Sequence, residues 1–312
     1  MTEFGFIDQI AHMVADLPRN AFEGIGDDCA VLEIGGGEAL LFTADLVCED
    51  VHFLRCATSA YDLGHKALAV NLSDVAAMGA RPVATLLSVS LPADATEEWA
   101  AEFMRGYHAL SKHWGVALIG GDTTRSAQGI TINVTAIGRM DARKIKRRSS
   151  AAVGDVIFAG DRLGASGAGL RDILAGKYDT PQAQIHRTPQ PQIAEGLWLA
   201  DRTEVHAMMD ISDGLASDVR HIMEQSHAGA ELDLECIPTA EGADLKTAAT
   251  GGEDYKLLFT VARDKAEMLA SDFKRDFGRE IYPVGRITEG EELRWLDHGT
   301  EVTLDWRGFT HY

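Results

Sequence analysis

The chain has 312 residues, of which 46% are hydrophobic and 25% charged, a composition typical of a globular protein with a sizeable core and room for two domains. Its formal net charge of −19 disfavours nucleic acid and anionic membrane surfaces as partners. No stretch approaches the roughly 18 consecutive apolar residues of a membrane span, and the acidic N-terminal segment does not resemble a signal peptide.

The first half of the chain alternates between helical and strand patterns. Thr96, followed by two acids, is a typical helix N-cap, and the β-branched segment 130–138 favours a strand. In chain order the patterns predict helix 4–15, strand 39–45, helix 60–78, strand 82–90, helix 96–114, strand 116–120 and strand 130–138.

A basic, polar run at 142–155 interrupts this alternation after a completed strand. We therefore expect one domain at 1–141 and a second at 142–312. Two interpretations of the run stay open at this point. It is either a solvated linker or a segment that supplies an arginine to a phosphate.

The second half repeats the alternation, so the expected class is α/β in two domains. A Gly-rich segment at 164–170 leads into a helix, and an aspartate ends the strand at 206–210. In chain order the patterns predict strand 156–160, a helix from the Gly-rich segment, a helix ending at 199, strand 206–210, helix 215–225, strands near 230–234 and 257–261, helix 264–277, and strands near 282–285 and 293–296.

Several aspartates stand among Gly, Ala, Val, Leu, Ile and Met rather than among other charged residues. They are Asp27, Asp28, Asp45, Asp74, Asp122, Asp210 and Asp213. We expect aspartates with such apolar or small neighbours in sequence to be half-buried, and a buried carboxylate must be paired or bind metal. A single one is better explained as a helix N-cap, but if several converge, their mutual repulsion raises their pKa values and Mg²⁺ relieves it.

Gly-rich turns offer a second type of phosphate contact. Successive N–H groups at 120–124 could form an anion nest, and the amides at 164–169 lie at a predicted helix N-terminus. Tight turns or close helix packing explain each segment equally well. The segment 251–259 suits either a pocket wall or, more simply, a hairpin turn.

Common nucleotide and hydrolase motifs are missing from the sequence. There is no P-loop, no strict G-x-G-x-x-G, no H-E-x-x-H and no G-x-S-x-G. No Ser/His/Asp or Cys/His set indicates a covalent nucleophile. The four cysteines lack zinc and redox spacing, so we expect free thiols in a reducing cytoplasm.

Seven motifs in order make the chain resemble the thiamine-monophosphate kinase family, within the superfamily of aminoimidazole ribonucleotide synthetase. They are GIGDD, FTADL, VHF, HKALAVNLSDVAAMGARP, IGGDTT, DISDGLASD and GGEDYKL, and the resemblance continues to the DWRGF ending. It implies two α/β domains, with the N-terminal sheets of two copies forming a barrel in a homodimer. It also implies transfer of the γ-phosphoryl group of ATP to thiamine monophosphate.

The same resemblance implies roles for individual residues. Metal ligands for several Mg²⁺ ions would be Asp28, Thr43, Asp45, Asp74, Asp122, Asp210 and Asp213; ATP contacts would be Gly121, Asp122, Arg148 and Ser212; and contacts to thiamine monophosphate would be His52, Glu253 and Trp306. Ala44 departs from relatives that carry a hydroxyl residue there, which leaves one metal subsite open. Arg147 is the alternative to Arg148.

The implied mechanism is direct in-line attack by the acceptor phosphate, with Mg²⁺ bridging both phosphates and no catalytic nucleophile. Two alternatives stay open, namely another ATP-using member of the superfamily and a non-catalytic phosphometabolite-binding protein. Intact acids at every metal motif argue against the second.

Overall fold

Two β-sheets organise the protein, which a computed structural model describes from residue 3 to residue 309. The first sheet has six strands in the order β1-β2-β3-β6-β4-β5, with two helices between its strands. The elements of this half are α1 (Glu3–Met13), β1 (Phe22–Glu23), β2 (Ala30–Gly35), β3 (Glu38–Cys48), α2 (Ala60–Ala77), β4 (Arg81–Leu91), α3 (Glu97–Trp114), β5 (Ala117–Arg125) and β6 (Thr131–Asp141).

The second sheet has seven strands in the order β13-β12-β9-β11-β7-β10-β8. Its elements are β7 (Val156–Ala159), α4 (Ala165–Leu174), α5 (Pro181–Arg187), α6 (Ile193–Ala200), β8 (Val205–Ile211), α7 (Leu215–Ser226), β9 (Gly229–Asp233), α8 (Leu245–Thr250), β10 (Lys256–Val261), α9 (Ala266–Phe277), β11 (Tyr282–Thr288), β12 (Leu293–Asp297) and β13 (Thr300–Val302). Both sheets are mixed, because β4 pairs with β5 and β12 pairs with β9 in parallel while the other pairs are antiparallel. The predicted α/β class is confirmed.

Helix α2 is the central element of the molecule. It contacts β3, β4 and β6 of the first sheet as well as β8, β10 and α6 of the second half. Its N-cap, Ser59, accepts a hydrogen bond from the amide of Asp62, and fourteen of its residues are buried. A helix that is buried on nearly every side needs apolar residues around its whole circumference, and α2 supplies them, with Asp74 as its polar residue on the cavity wall.

Two glycines bring α2 and α3 into close contact. A Cβ added at Gly64 would overlap the backbone carbonyl of Phe103, and one at Gly106 would overlap that of Tyr61. Helix α3 begins after Thr96, whose side chain accepts from the amide of Trp99 as predicted. This tight helix pair covers one face of the first sheet and fixes where α2 presents its polar residues.

The structure corrects two expectations about the Gly-rich segments. The segment 120–124 is not a turn but part of the extended edge strand β5, whose residues are all exposed. The N-terminus of α4 is already capped by the buried Asp254, which accepts from the amides of Gly164 and Ser166. Glycine at 169 allows α4 to pack against the carbonyl of Gln182, so close packing explains this segment.

Short elements escaped the sequence patterns. Strands β1, β2 and β13 and helices α5 and α8 were not predicted. All of them except β2 are too short to show a clear period. None of the helices within residues 3–309 combines the length and hydrophobicity that crossing a bilayer requires.

Candidate functional site

A cavity of about 550 Å³ opens between the two halves of the molecule. One part of its wall carries the acids Asp45, Asp74 and Asp213, and another part carries apolar side chains from α4 and from the loop after β3. Those apolar side chains are Val51, Phe53, Leu54, Leu170, Ile173 and Leu174. The cavity therefore joins an anionic end to an apolar surface that could hold an organic ring.

Three aspartates from distant segments meet beside this cavity. Asp28 lies in the loop before β2, Asp74 on α2, and Asp210 near the end of β8. One oxygen from each lies within 4.8 Å of the others. Carboxylates at this separation repel one another strongly unless protons or a cation neutralise them.

Hydroxyl groups and one guanidinium hold these carboxylates in place. Thr43 Oγ1 on β3 donates to Asp74 Oδ2 at 2.5 Å, and the Ser73 hydroxyl donates to Asp210. Arg148 forms an ion pair with Asp28, with 2.5 Å between Nη2 and Oδ1. Arg147 instead binds Glu23 on the exposed edge of the first sheet, so it is Arg148 that reaches the carboxylates.

Burial and mutual repulsion raise the pKa values of these acids. Burial and the charge of Asp28 raise the pKa of Asp210 to about 8 and that of Asp45 to about 6. The same two causes raise the pKa of the neighbouring Asp27 to about 7. Burial and then Asp45 raise the pKa of Asp74 well above its usual value. Without a cation, several of these groups would hold protons at neutral pH.

The residues fit a divalent cation bound to oxygen. Asp28 Oδ2 is buried and has no hydrogen-bond partner among residues 3–309, although a buried carboxylate oxygen normally has one. It belongs to the three-carboxylate cluster, whose hard oxygen donors are those that Mg²⁺ prefers. A cation there would satisfy the orphaned oxygen and neutralise the cluster at once.

The turn after β8 brings two more predicted residues to the cavity. Ser212 and Asp213 both line it. The buried Asp218 on α7 accepts from the amides of Asp213 and Gly214 and so fixes this turn. The C-terminal segment returns over the turn, because the amide of Phe309 donates to the carbonyl of Asp213 at 2.9 Å.

His52 and Glu253 lie together on the cavity wall. His52 Nδ1 accepts from the amide of Cys48 at 3.0 Å, so its proton resides on Nε2. The Glu253 carboxylate is paired with Lys66 of α2, with 2.9 Å between Nζ and Oε1. The segment 251–259, for which a hairpin turn was the simpler expectation, contributes Gly251, Gly252, Glu253 and Tyr255 to the cavity wall.

Three predicted residues lie away from this cluster in the single chain. Trp306 is not on the cavity wall but packs edge-on against Trp295, with ring centroids 5.3 Å apart. Phe309, three residues later, lines the cavity instead. Gly121 and Asp122 lie on the edge strand β5, three strands from Asp45 in the sheet order, which is about 14 Å at the usual strand spacing.

The face that Asp122 occupies also separates it from the cluster. Across the sheet, Asp45 on β3 pairs with Val134 on β6, Val134 pairs with Leu87 on β4, and Leu87 pairs with Gly121 on β5. The side chains of this row face the helices. Asp122 is the next residue along β5, so its side chain points to the opposite, uncovered face of the sheet.

Sequence reasoning missed His186 and Phe309 on the cavity wall, and Lys66, which lies behind that wall and pairs with Glu253. A lysine among Leu63, Ala67 and other apolar residues on a helix was a usable signal, because such a position is normally apolar. His186 gave no signal, since its buried place depends on α5, which the sequence did not reveal.

Comparison with known proteins identifies the family. The profile of AIR synthase related protein, N-terminal domain, matches residues 26–140, and that of the C-terminal domain matches residues 152–297. The thiamine-monophosphate kinase of Salmonella typhimurium is 35% identical over 99% of this chain and 98% of its own length. That of Haemophilus influenzae is 36% identical over 100% of this chain and 98% of its own length.

A solved structure supports the same assignment. AaThiL complexed with AMPPCP and TMP aligns with a TM-score of 0.86 and 30% identity, covering 100% of this chain and 97% of that one. The shared domains, the full-length identity and the structural match all agree. The chain therefore belongs to the AIR synthase related proteins and, among them, to the thiamine-monophosphate kinase family.

Proposed function

We propose that this protein transfers the γ-phosphoryl group of ATP to thiamine monophosphate, giving thiamine diphosphate and ADP. The single observation that carries the proposal is the cavity that joins converging carboxylates to an apolar wall. Relatives of this full length are thiamine-monophosphate kinases, and AaThiL binds an ATP analogue, AMPPCP, together with TMP.

The residues around the anionic end would handle the phosphates. Asp28, Asp74 and Asp210 would hold Mg²⁺, with Asp45 and Asp213 completing its surroundings on the cavity wall. Thr43 is close enough to join them, since it donates to Asp74. When bound, Mg²⁺ supplies positive charge to phosphate oxygens and offsets the net negative charge of the protein.

Arg148 and Ser212 are the proposed ATP contacts. Arg148 carries a permanent positive charge. Burial alone would lower its pKa, but the charge and hydrogen bond of Asp28, together with Asp27 and Asp210, raise it. A guanidinium is well suited to phosphate oxygens because it donates in a planar fork. Ser212 follows β8 and lies on the cavity wall, where its hydroxyl can donate to a phosphate.

His52 and Glu253 are the proposed contacts to the organic part of thiamine monophosphate. Once its phosphate lies beside the carboxylate cluster, its rings extend along the apolar wall. His52 can donate from Nε2 and Glu253 can accept, so the pair can bind both acceptor and donor groups of a heteroaromatic ring. Phe309 offers a ring face on this wall, whereas stacking by Trp306 would need the C-terminal segment to rearrange.

The acceptor requires no strong general base. Its attacking group is a phosphate oxygen, which is largely ionised near neutral pH. Phosphoryl transfer then depends on in-line positioning and on charge neutralisation rather than on proton removal. The chain accordingly needs residues that hold both phosphates, and the proposed mechanism assigns no covalent nucleophile.

We further propose a homodimer in which the uncovered face of the first sheet is buried. Leu46 on β3, the neighbour of the inward-facing Asp45, is exposed on this uncovered face, and the adjacent edge strand β5 exposes Leu118 and Ile119. Unpaired edges and apolar faces of this kind are normally covered. Leu46 also borders the cavity, so a second copy on this face could bring its Asp122 and Gly121 toward the site.

The division of the chain follows the same proposal. The first domain, 1–141, would bind metal and ATP and form the dimer, and the second, 142–312, would close the cavity. A cytoplasmic location stays a prediction from the sequence.

An assay of ADP release tests the proposed function directly. The purified protein is supplied with ATP and Mg²⁺, and thiamine monophosphate is compared with thiamine and with no acceptor. We expect ADP and thiamine diphosphate to form in equal amounts only with thiamine monophosphate. Binding of thiamine monophosphate without any ADP release would favour the non-catalytic alternative, and ADP release with other acceptors only would favour another member of the superfamily.

A further inference from the structure

A buried lysine lies behind the part of the cavity assigned to the acceptor. Lys66 lies on α2, and only 1% of its side chain is exposed. Its Nζ lies 2.9 Å from Glu253 Oε1 and donates to the backbone carbonyl of His52 at 2.9 Å. A buried ammonium group is costly unless it is fully paired, so its presence on the buried helix α2 indicates a role for these contacts.

Glu253 is held unusually firmly for a residue on a cavity wall. Its backbone adopts a φ of 64°, a left-handed conformation that is unfavourable for glutamate. Its amide donates to the carbonyl of Ser212 at 2.6 Å. Burial is the largest influence and alone would raise the pKa of its carboxyl, but the charge and hydrogen bond of Lys66, together with the nearby His186 and His52, lower it. Glu253 therefore presents a fixed, ionised carboxylate to the cavity.

Lys66 connects groups from both halves of the molecule. Glu253 belongs to the second half and lies 187 residues away in sequence, whereas the His52 carbonyl belongs to the loop after β3. Both side chains line the same cavity. His186, close to the same carboxylate, is kept neutral because burial and then the charge of Lys66 lower its pKa to about 4. Lys66 is thus the cation that balances Glu253.

We propose that Lys66 is a positioning residue for recognition of the acceptor. It keeps Glu253 ionised and fixes that carboxylate, together with His52, against the cationic, N–H-bearing rings of the acceptor. This inference rests on the proposed function. It adds to that function a specificity role for Lys66, a residue that does not itself contact the substrate. Because Arg148 and Ser212 are the proposed ATP contacts, loss of Lys66 should weaken binding of the acceptor and leave binding of ATP intact.

Steady-state kinetics of Lys66→Met, Glu253→Gln and the double variant test this role. Methionine keeps the unbranched shape of lysine and removes its charge. We expect KM for thiamine monophosphate to rise roughly tenfold or more in each single variant, as when a charge-assisted hydrogen bond is lost. The double variant should resemble Glu253→Gln alone, because Lys66 acts through that carboxylate. KM for ATP should change less than about twofold.

Lys146→Met provides the matched control. Lys146 is also buried, but its Nζ donates to the backbone carbonyls of Arg202 and Val205, away from the cavity. We expect this variant to lose stability without any change in KM for thiamine monophosphate. Thermal unfolding is measured for every variant. Should Lys66→Met fail to fold, the double variant, which leaves no buried charge unpaired, is compared with Glu253→Gln alone.

Three results would overturn the inference: an unchanged KM for thiamine monophosphate in Lys66→Met, penalties that add in the double variant, or an equal rise in KM for ATP. If the single variant does not fold, a double variant that binds thiamine monophosphate much more weakly than Glu253→Gln overturns it as well. Absence of thiamine monophosphate turnover in the wild-type protein would be a different failure, since it would overturn the proposed function itself.

Discussion

Asp210, near the end of β8, is a buried carboxylate that the fold places next to two others. It lies on β8 and is 1% exposed, yet it faces Asp28 and Asp74 at metal-binding separation. Burial and the charge of Asp28 raise its pKa to about 8. The folded protein therefore tolerates this carboxylate best when a proton or a cation neutralises it.

Replacing Asp210 by asparagine should separate stability from activity. Asparagine keeps an oxygen that can accept from Ser73 but removes one of the repelling charges. We expect turnover to fall by roughly a hundredfold or more. Tm in the absence of Mg²⁺ should rise, and the extra stabilisation by Mg²⁺ should disappear. Near-normal turnover, or a lower Tm without Mg²⁺, would contradict the assignment. Asp264→Asn, on the exposed side of the second half, is the control.

His186 should make stability depend on pH. Burial and then Lys66 lower its pKa from 6.5 to about 4, so the folded protein holds it neutral. Between these values the unfolded chain binds more protons, and stability falls as the pH drops from above 6.5 toward 4. The shift corresponds to at most about 3 kcal/mol.

Urea unfolding of the wild-type protein and His186→Gln at pH 5 and pH 7.5 measures this contribution. The variant should lose less stability than the wild type between the two pH values. An identical loss in both proteins would show that His186 does not titrate as described. The exposed His298→Gln serves as the control.

Local sequence patterns identified the acids but not their partners. Aspartates at strand ends were visible, because apolar neighbours on both sides mark half-buried positions. The pairing of Lys66 with Glu253 joins residues 187 positions apart, and no local pattern contains that information. Trp306 was expected at the acceptor, yet Phe309 occupies the cavity wall, since aromatic character alone does not determine which residue of a returning segment faces inward.

Helix and strand identities followed from periodicity wherever the element was long. Helices α2 and α3 begin and end within one residue of their predicted bounds, because caps and apolar spacing agree there. Strand β5 was predicted too short, since glycines were read as a turn although they form an extended edge. The N-terminus of α4 was open to interpretation as a phosphate site, and only the fold shows that Asp254 occupies it.

The contact between α2 and α3 should be sensitive to a single methyl group. Alanine favours helix over glycine by about 1 kcal/mol, but a Cβ at Gly64 would overlap the carbonyl of Phe103. We therefore expect Gly64→Ala to destabilise the protein by roughly 1–3 kcal/mol, measured by urea unfolding. Gly24→Ala, where a Cβ meets open space, should be neutral or slightly stabilising. Equal stability of the two variants would contradict this packing.

The arrangement of the two sheets around α2 explains why the site needs the whole chain. Asp28 and Asp74 come from the first half, and Asp210 comes from the second. Sequence patterns predicted the two α/β halves because each repeats strands and helices. They could not predict how the halves face each other, since that depends on which helix surfaces are complementary.

The uncovered face of the first sheet leads to a prediction about assembly. Ile119 on the edge strand β5, which borders this face, is 60% exposed, and a lysine there should prevent a second copy from covering this edge. We expect Ile119→Lys to have half the wild-type mass by light scattering and a strongly reduced turnover. Met268→Lys, at a 51% exposed position of α9, should change neither. A wild-type protein that is already monomeric and active would contradict the dimer proposal.

The central claim is that carboxylates from both halves bind divalent metal ions against two phosphate groups. Anomalous diffraction from crystals grown with Mn²⁺, AMPPCP and thiamine monophosphate tests it most directly. The account predicts metal peaks roughly 2 Å from oxygens of Asp28, Asp74 and Asp210, in contact with the phosphates of both ligands. Metal peaks bound elsewhere, or phosphates bound with no metal at these three residues, would contradict it.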